Sequence, residues 1–144
     1  VGAVPNALFT VNRPNGCAPH LVNFTDASSG AYESRVWEFP GGNPTMSTAA
    51  NPQVIYNNPG QYDVTLIIKG ALGNDTLRNI AYINVLPSPI PNFSYVINGN
   101  TVTFNNTSSN AQTYQWNFGD GQTSTQPNPT YTFSASGVYT ITLN

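Results

Sequence analysis

Tyr62, Val64 and Leu66 alternate with Gln61, Asp63 and Thr65, so an extended segment here carries one apolar and one polar face. Tyr139, Ile141 and Leu143 repeat that alternation near the other end of the chain. Trp37 with Phe39, and Trp116 with Phe118, likewise share a face, and Val54 with Tyr56 and Tyr131 with Phe133 do the same one strand later. A period of two describes sheets with one buried side. Runs rich in Val, Ile, Thr, Tyr and Phe are punctuated at short intervals by Gly, Pro, Asn and Ser, and no window carries a helical period. The pattern predicts an all-β chain.

The pattern is also written twice. V-W-E-F-P-G-G-N-P at Val36–Pro44 leads to N-P-Q-V-I-Y-N-N-P-G-Q-Y-D-V-T-L at Asn51–Leu66. Q-W-N-F-G-D-G at Gln115–Gly121 leads to N-P-T-Y-T-F-S-A-S-G-V-Y-T-I-T-L at Asn128–Leu143. Asn51, Pro52, Gly60, Tyr62, Thr65 and Leu66 recur at one constant offset as Asn128, Pro129, Gly137, Tyr139, Thr142 and Leu143. Upstream, Leu21–Ser29 is echoed by Thr101–Ser109. Self-similarity of this length implies two copies of one small architecture and favours spacers and binding modules over enzymes.

The order Trp, then Gly-x-Tyr-x-apolar, fits an immunoglobulin-like sandwich, in which a core Trp precedes a Tyr standing two residues before a Cys. Val64 and Ile141 occupy that Cys position, so apolar packing must hold the sheets together. W-x-F-G-D-G, then N-P, an aromatic residue and Gly-x-Tyr-x-Ile-x-Leu, resembles the PKD (polycystic kidney disease) domain family. The resemblance covers most of Phe9–Leu86 and Phe93–Asn144, closely at Trp116–Gly121. The first copy replaces the Gly-Asp pair by Pro40-Gly41, a variant similar to modules of large secreted and surface proteins of Bacteroidetes-type bacteria.

The expected organisation is a first PKD-like β-sandwich over residues 1–86, a linker at 87–91 and a second sandwich over 92–144. Alternate prolines Pro87, Pro89 and Pro91 make the linker extended and semi-rigid. In the first copy, Ile80–Leu86 reads as a closing strand paired with Tyr62–Ile68, after a turn at Asp75-Thr76. The second copy has no such segment, which leaves Tyr139–Leu143 as an unpaired edge that invites strand addition. The favoured explanation is that the chain is one piece of a longer polypeptide; the sharper one is a polymer in which a neighbour donates the strand, with Val1–Thr10 and its apolar Val4, Ala7 and Phe9 as the donor.

Composition narrows the function. Charged residues are 7% of the chain against about 25% in typical domains, and net charge is -2. The basic residues Arg13, Arg35, Lys69 and Arg78 are scattered and form no phosphate-neutralising patch, so nucleic acid is not an expected partner. Apolar stretches are too short to span a membrane. A polar, uncharged, β-rich chain suits a secreted, extracellular or cell-surface location.

Chemistry-bearing constellations are sparse. Cys17 is the single cysteine and His20 the single histidine. Their C-A-P-H spacing in a loop-like segment makes neither a zinc site nor a nucleophile pair. The six acids, Asp26, Glu33, Glu38, Asp63, Asp75 and Asp120, are dispersed, and no nucleophile elbow or phosphate loop is present. Asp120, in the Gly119-Asp120-Gly121 turn, reads as a turn former whose carboxylate bonds nearby amides. The family resemblance adds calcium as an alternative role for it, but calcium takes six to eight oxygens, and only Asn117, Asn105 and Asn106 stand near in the sequence pattern. The expectation is therefore no catalytic, cofactor-binding or metal residue and no enzyme. The leading function is a structural spacer of a larger surface or secreted protein such as an adhesin, stalk or fibre. Its partners would be neighbouring modules of the same polypeptide or identical chains. The alternative is an accessory module of a secreted hydrolase that binds a polysaccharide or a surface protein. Tyr32, Tyr82, Tyr95 and Tyr114 are the aromatics the alternation does not place.

Overall fold

A computed structural model describes residues 2–144, divided into two compact units that meet in sequence between Pro87 and Ser88. Both are all-β, and each is a sandwich of two sheets.

In the first unit, β1 (Phe9–Val11), β3 (His20–Asp26) and β6 (Gln53–Tyr56) form one sheet in the order β1-β3-β6. The facing sheet has the order β2-β8-β7-β4-β5, from β2 (Asn15–Cys17), β4 (Ser34–Glu38), β5 (Met46–Ser47), β7 (Gly60–Gly70) and β8 (Gly73–Leu86). The chain changes sheets between β1 and β2, and β2 then runs parallel to β8. Period-two alternation supplies the core: Val22, Phe24, Trp37, Phe39, Val54, Tyr56, Val64, Leu66, Ile68, Ile83 and Val85 are buried. Val64, at the position of a disulfide cysteine in immunoglobulin domains, has no exposed surface, as apolar cohesion between the sheets requires.

The second unit is smaller. One sheet has the order β13-β10-β9, from β9 (Phe93–Asn98), β10 (Thr101–Asn106) and β13 (Thr130–Thr132). The other has the order β12-β11-β14, from β11 (Trp116–Asn117), β12 (Thr123–Ser124) and β14 (Thr142–Leu143). Its core is Val102, Phe104, Trp116, Phe118, Phe133 and Leu143. Ile90 belongs to this unit, exchanging backbone hydrogen bonds with Ser109 at 2.9 and 3.0 Å.

The two tryptophans are anchored identically. Both are fully buried. Trp37 Nε1 donates to the Ala49 carbonyl and Trp116 Nε1 to the Gln126 carbonyl, each at 2.9 Å. A buried indole N–H needs such a partner. The repeated tyrosines are corner residues in both units: Tyr62 Oη donates to Asn58 O at 2.7 Å and Tyr139 Oη to Ala135 O at 3.0 Å.

Three sequence expectations are corrected. The closing strand of the first unit begins at Gly73, so Asp75 and Thr76 lie in β8 and the turn falls at Ala71-Leu72. Residues Asp75–Asn79 pair with Val64–Ile68, while Ile83 and Val85 pair with Tyr62 and Gly60. A β-bulge between Tyr62 and Val64 shifts the register; Asp63 Oδ1 accepts the Ala81 N–H beside it at 2.9 Å. The expected donor segment is not free. Pro5, Ala7 and Phe9 are buried in the first unit, Asn6 bridges Ser29, and β1 pairs with β3; Val1 lies outside the described residues. His20 is a buried strand residue rather than a loop residue, and its Nε2 donates to Arg13 O at 3.0 Å. Gly16 makes room for that imidazole, since a Cβ there would lie 2.2 Å from the ring.

Tyr56 presents the opposite situation to the tryptophans. Its hydroxyl is buried and has no hydrogen-bond partner among the described residues, and burial pushes its pKa up. An unpaired buried hydroxyl costs about 1–3 kcal/mol of desolvation. Tyr56→Phe is therefore expected to be at least as stable as the parent in a urea melt, whereas an ordinary core deletion destabilises.

Candidate functional site

The four aspartates are spent on the fold. Asp26, with a side chain 2% exposed, accepts Arg35 Nη1 at 2.9 Å, Tyr32 Oη at 3.0 Å and the Ser28 N–H at 2.9 Å. Burial alone would raise its pKa. The Ser28, Tyr32 and Arg35 interactions outweigh that and hold the carboxyl below its ordinary range. Asp63 accepts Arg78 Nη2 at 2.8 Å as well as the Ala81 amide. Asp75 Oδ2 accepts the Ala7 N–H at 2.7 Å, tying the N-terminal segment to β8.

Asp120 caps its own turn. Oδ1 accepts the Gln122 N–H at 3.0 Å and Oδ2 the Tyr131 hydroxyl at 2.6 Å, and the latter bond leads the effects that lower its pKa. Tyr131 is in turn stacked on Phe118 at 4.2 Å. Asn117 Oδ1 accepts the Gly119 N–H, and Asn106 Oδ1 the Ser108 N–H. Gly119 has a φ of +80°, and a Cβ there would lie 2.5 Å from the Thr140 carbonyl oxygen, so only glycine fits. Among the described residues no cluster of three His, Cys, Asp or Glu side chains could hold a metal ion. Cys17 is exposed at the end of β2, and His20 has its Nε2 committed to Arg13.

The unplaced tyrosines divide. Tyr32 and Tyr114 are half-buried, with hydroxyls donating to Asp26 and Ala111. Tyr82 packs edge-on to Phe9 at 5.6 Å. Tyr95 is 59% exposed, and its strand neighbours Val96 and Ile97 are 71% and 62% exposed. All three sit on β9, an edge strand of the second unit.

Tyr95 and Ile97 face an open groove of about 450 Å³, whose floor and walls include Phe93, Phe104, Phe133, Tyr139 and Ile141. No charged side chain lines it; Asn100 and Ser136 supply polar groups. The sequence pointed to the backbone edge at Tyr139–Leu143 but not to this groove. Its lining comes from β9, β10 and the Phe133–Ile141 segment, and only the fold brings them together.

The PKD domain profile matches residues 5–85 and 88–144. The pre-pro-metalloprotease PrtV of Vibrio cholerae is 38% identical over 76 residues, covering 50% of this chain and 8% of that protein. The collagenase ColA of Bacillus cereus is 57% identical over 30 residues, covering 21% of this chain and 3% of the relative. The chain thus spans less than a tenth of the length of these curated relatives. A solved structure from work on carbohydrate-binding modules of the β-sandwich superfamily aligns over 99% of this chain and 83% of its own, with a TM-score of 0.49 and 12% identity. With the paired tryptophan anchors and tyrosine corners in view, the match over both units places this chain in the PKD domain family.

Proposed function

We propose that this pair of PKD modules is a non-catalytic structural spacer within a larger secreted or cell-surface protein. One observation carries the reading: all four aspartates and the single histidine are consumed in holding the fold. Asp26, Asp63, Asp75 and Asp120 each accept internal hydrogen bonds, and His20 and both tryptophans are buried. No helix among the described residues is long and apolar enough to cross a membrane. Low charge also suits a module outside the cell.

A second reading, an accessory binding module of a secreted hydrolase, is favoured by the exposed Tyr95, Val96 and Ile97 on β9. The matching relatives, a metalloprotease and a collagenase, agree with it. Sedimentation of the chain with insoluble polysaccharides and with collagen fibrils distinguishes the two. The spacer reading expects no saturable retention and no turnover of either material. Saturable retention abolished by Tyr95→Ala would establish the accessory reading in its place.

A further inference from the structure

Two asparagines of the chain, Asn15 and Asn98, precede a glycine. Glycine is the neighbour that least obstructs attack of the following backbone nitrogen on the asparagine side chain, because it has no Cβ to crowd that nitrogen. The two dipeptides sit in opposite surroundings. Asn15-Gly16 lies in β2, where Asn15 pairs with Asn84 and Gly16 with Val85 in a parallel ladder. Asn84 N donates to Pro14 O at 2.8 Å and Ala18 N to Leu86 O at 2.9 Å, so the ladder closes on both sides of the dipeptide. The parallel pattern gives the Gly16 N–H to the Asn84 carbonyl. Gly16 is also pressed against the buried His20 ring, which a Cβ would strike. Freeing that nitrogen requires opening β2 from β8.

Asn98-Gly99 lies at the tip of the β9–β10 hairpin. Asn98 ends β9 and pairs with Thr101, which begins β10, so Gly99 and Asn100 alone make the turn. Gly99 has a φ of +60°, as the first position of a two-residue type II′ turn demands. The N–H at that position stands outside the ladder, and it takes no part in the backbone hydrogen bonds among the described residues. No atom lies within 4 Å of where a Gly99 Cβ would be, and Asn98 is exposed. Ring closure needs Asn98 to leave its extended conformation, and only the terminal pair of the hairpin has to open for that.

We propose that Asn98 is a site of spontaneous deamidation, while Asn15 is protected by its ladder. The Gly99 nitrogen loses its proton to hydroxide from solvent and bonds to Asn98 Cγ. The Cγ–Nδ2 bond breaks, and the side-chain nitrogen leaves as ammonia. Water then opens the five-membered imide. Attack at Cγ releases the Gly99 nitrogen from it and leaves an ordinary aspartate at position 98. Attack at the main-chain carbonyl leaves the chain running through Cγ as isoaspartate. Either product places a carboxylate at the tip of β9, in a unit whose one charged side chain is Asp120 and which holds no Lys or Arg to pair with it. Isoaspartate also lengthens the backbone by one carbon beside the Asn98–Thr101 pair. The hairpin thus carries a slow, one-way change of charge and register confined to the second unit. The proposal goes beyond the spacer reading and stands whether or not that reading holds.

The test holds the whole folded chain at mildly alkaline pH in heavy-oxygen water and maps its peptides by mass spectrometry, with fragmentation that separates aspartate from isoaspartate. Asn98 is expected to exchange its side-chain nitrogen for one heavy oxygen about tenfold or more faster than Asn15, the difference between opening a hairpin tip and opening a sheet. In guanidinium, where both dipeptides are unfolded, the two rates should converge. The converted chain should elute later from an anion exchanger, and Asn98→Gln should remove that early product. Equal rates at Asn15 and Asn98 in the folded chain would overturn the proposal. So would an Asn98 that stays intact in the folded chain over the time in which it converts in guanidinium, since the hairpin would then protect it.

Discussion

Trp116→Ala is expected to abolish cooperative unfolding of the second unit, while Trp37→Ala leaves a weakened but folded first unit. Both substitutions delete a fully buried indole and its hydrogen bond. Removing a large core aromatic costs about 3–5 kcal/mol in either place. The difference lies in what remains. Around Trp37, the rings of Phe9, Phe24 and Phe39 lie with centroids within 5.3–5.8 Å, and a five-stranded sheet closes over them. Around Trp116, Phe93 and Phe104 lie at 5.1 Å, in a unit of two three-stranded sheets with an open groove. Small domains bury a lower fraction of their surface and have correspondingly little stability to lose. Amide exchange in each variant provides the measurement. Protection at Phe104 and Phe118 should vanish in Trp116→Ala, and protection at Phe24 and Leu66 should persist in Trp37→Ala. Equal losses in both would show that the open groove does not weaken the second core.

Much of this architecture is legible in the sequence because it depends on alternation and repetition. The inward set, Trp37, Phe39, Val54, Tyr56, Val64 and Leu66, follows from period two, and the repeat transfers it to Trp116, Phe118, Phe133 and Leu143. What alternation does not carry is pairing. Nothing local fixes which strand crosses to the other sheet, so the switch between β1 and β2 was not foreseen. Register is equally non-local. The bulge at Tyr62–Val64, bonded through Asp63 to Ala81, moves the partner of Leu66 to Leu77, upstream of the Ile80–Leu86 run expected to pair there. The N-terminal segment looked free because its anchor, Asp75, is distant in sequence. Alternation assigned Ile141 correctly to the inner face, but whether an inner face is covered depends on a neighbouring strand, and so the groove was missed. The Asp26 cluster was hidden for the same reason, since no motif pairs an Asp, an Arg and a Tyr across a turn.

Asp26 is expected to be the main acid-sensitive element of the first unit. Its folded pKa lies below the ordinary 3.8, so its contribution is complete above roughly pH 4 and is lost as pH falls through the lowered folded value. Asp26→Ala removes the partner of Arg35 and the acceptor for Tyr32 and Ser28 together. Breaking a fully buried pair costs 3–5 kcal/mol; roughly 2–4 kcal/mol is expected here, because the Arg35 side chain is 26% exposed and regains water. The second unit supplies the comparison for a milder change. At the repeated position it has Asn106, whose Oδ1 accepts the Ser108 N–H at 2.9 Å, as Asp26 Oδ1 accepts that of Ser28. The turn therefore needs an acceptor oxygen and not a charge, and the charge in the first unit answers Arg35. Asp26→Asn should keep the turn, be less destabilising than Asp26→Ala at pH 7, and lose less stability on acidification than the parent. Urea midpoints measured from pH 7 to pH 3 check this. Asp63 and Asp120 also have lowered pKa values, but they titrate in parent and variant alike, so the difference between the two curves isolates Asp26. Parallel curves would show that the folded pKa of Asp26 is not lowered, and that ionising Asp26 among Ser28, Tyr32 and Arg35 adds nothing to stability.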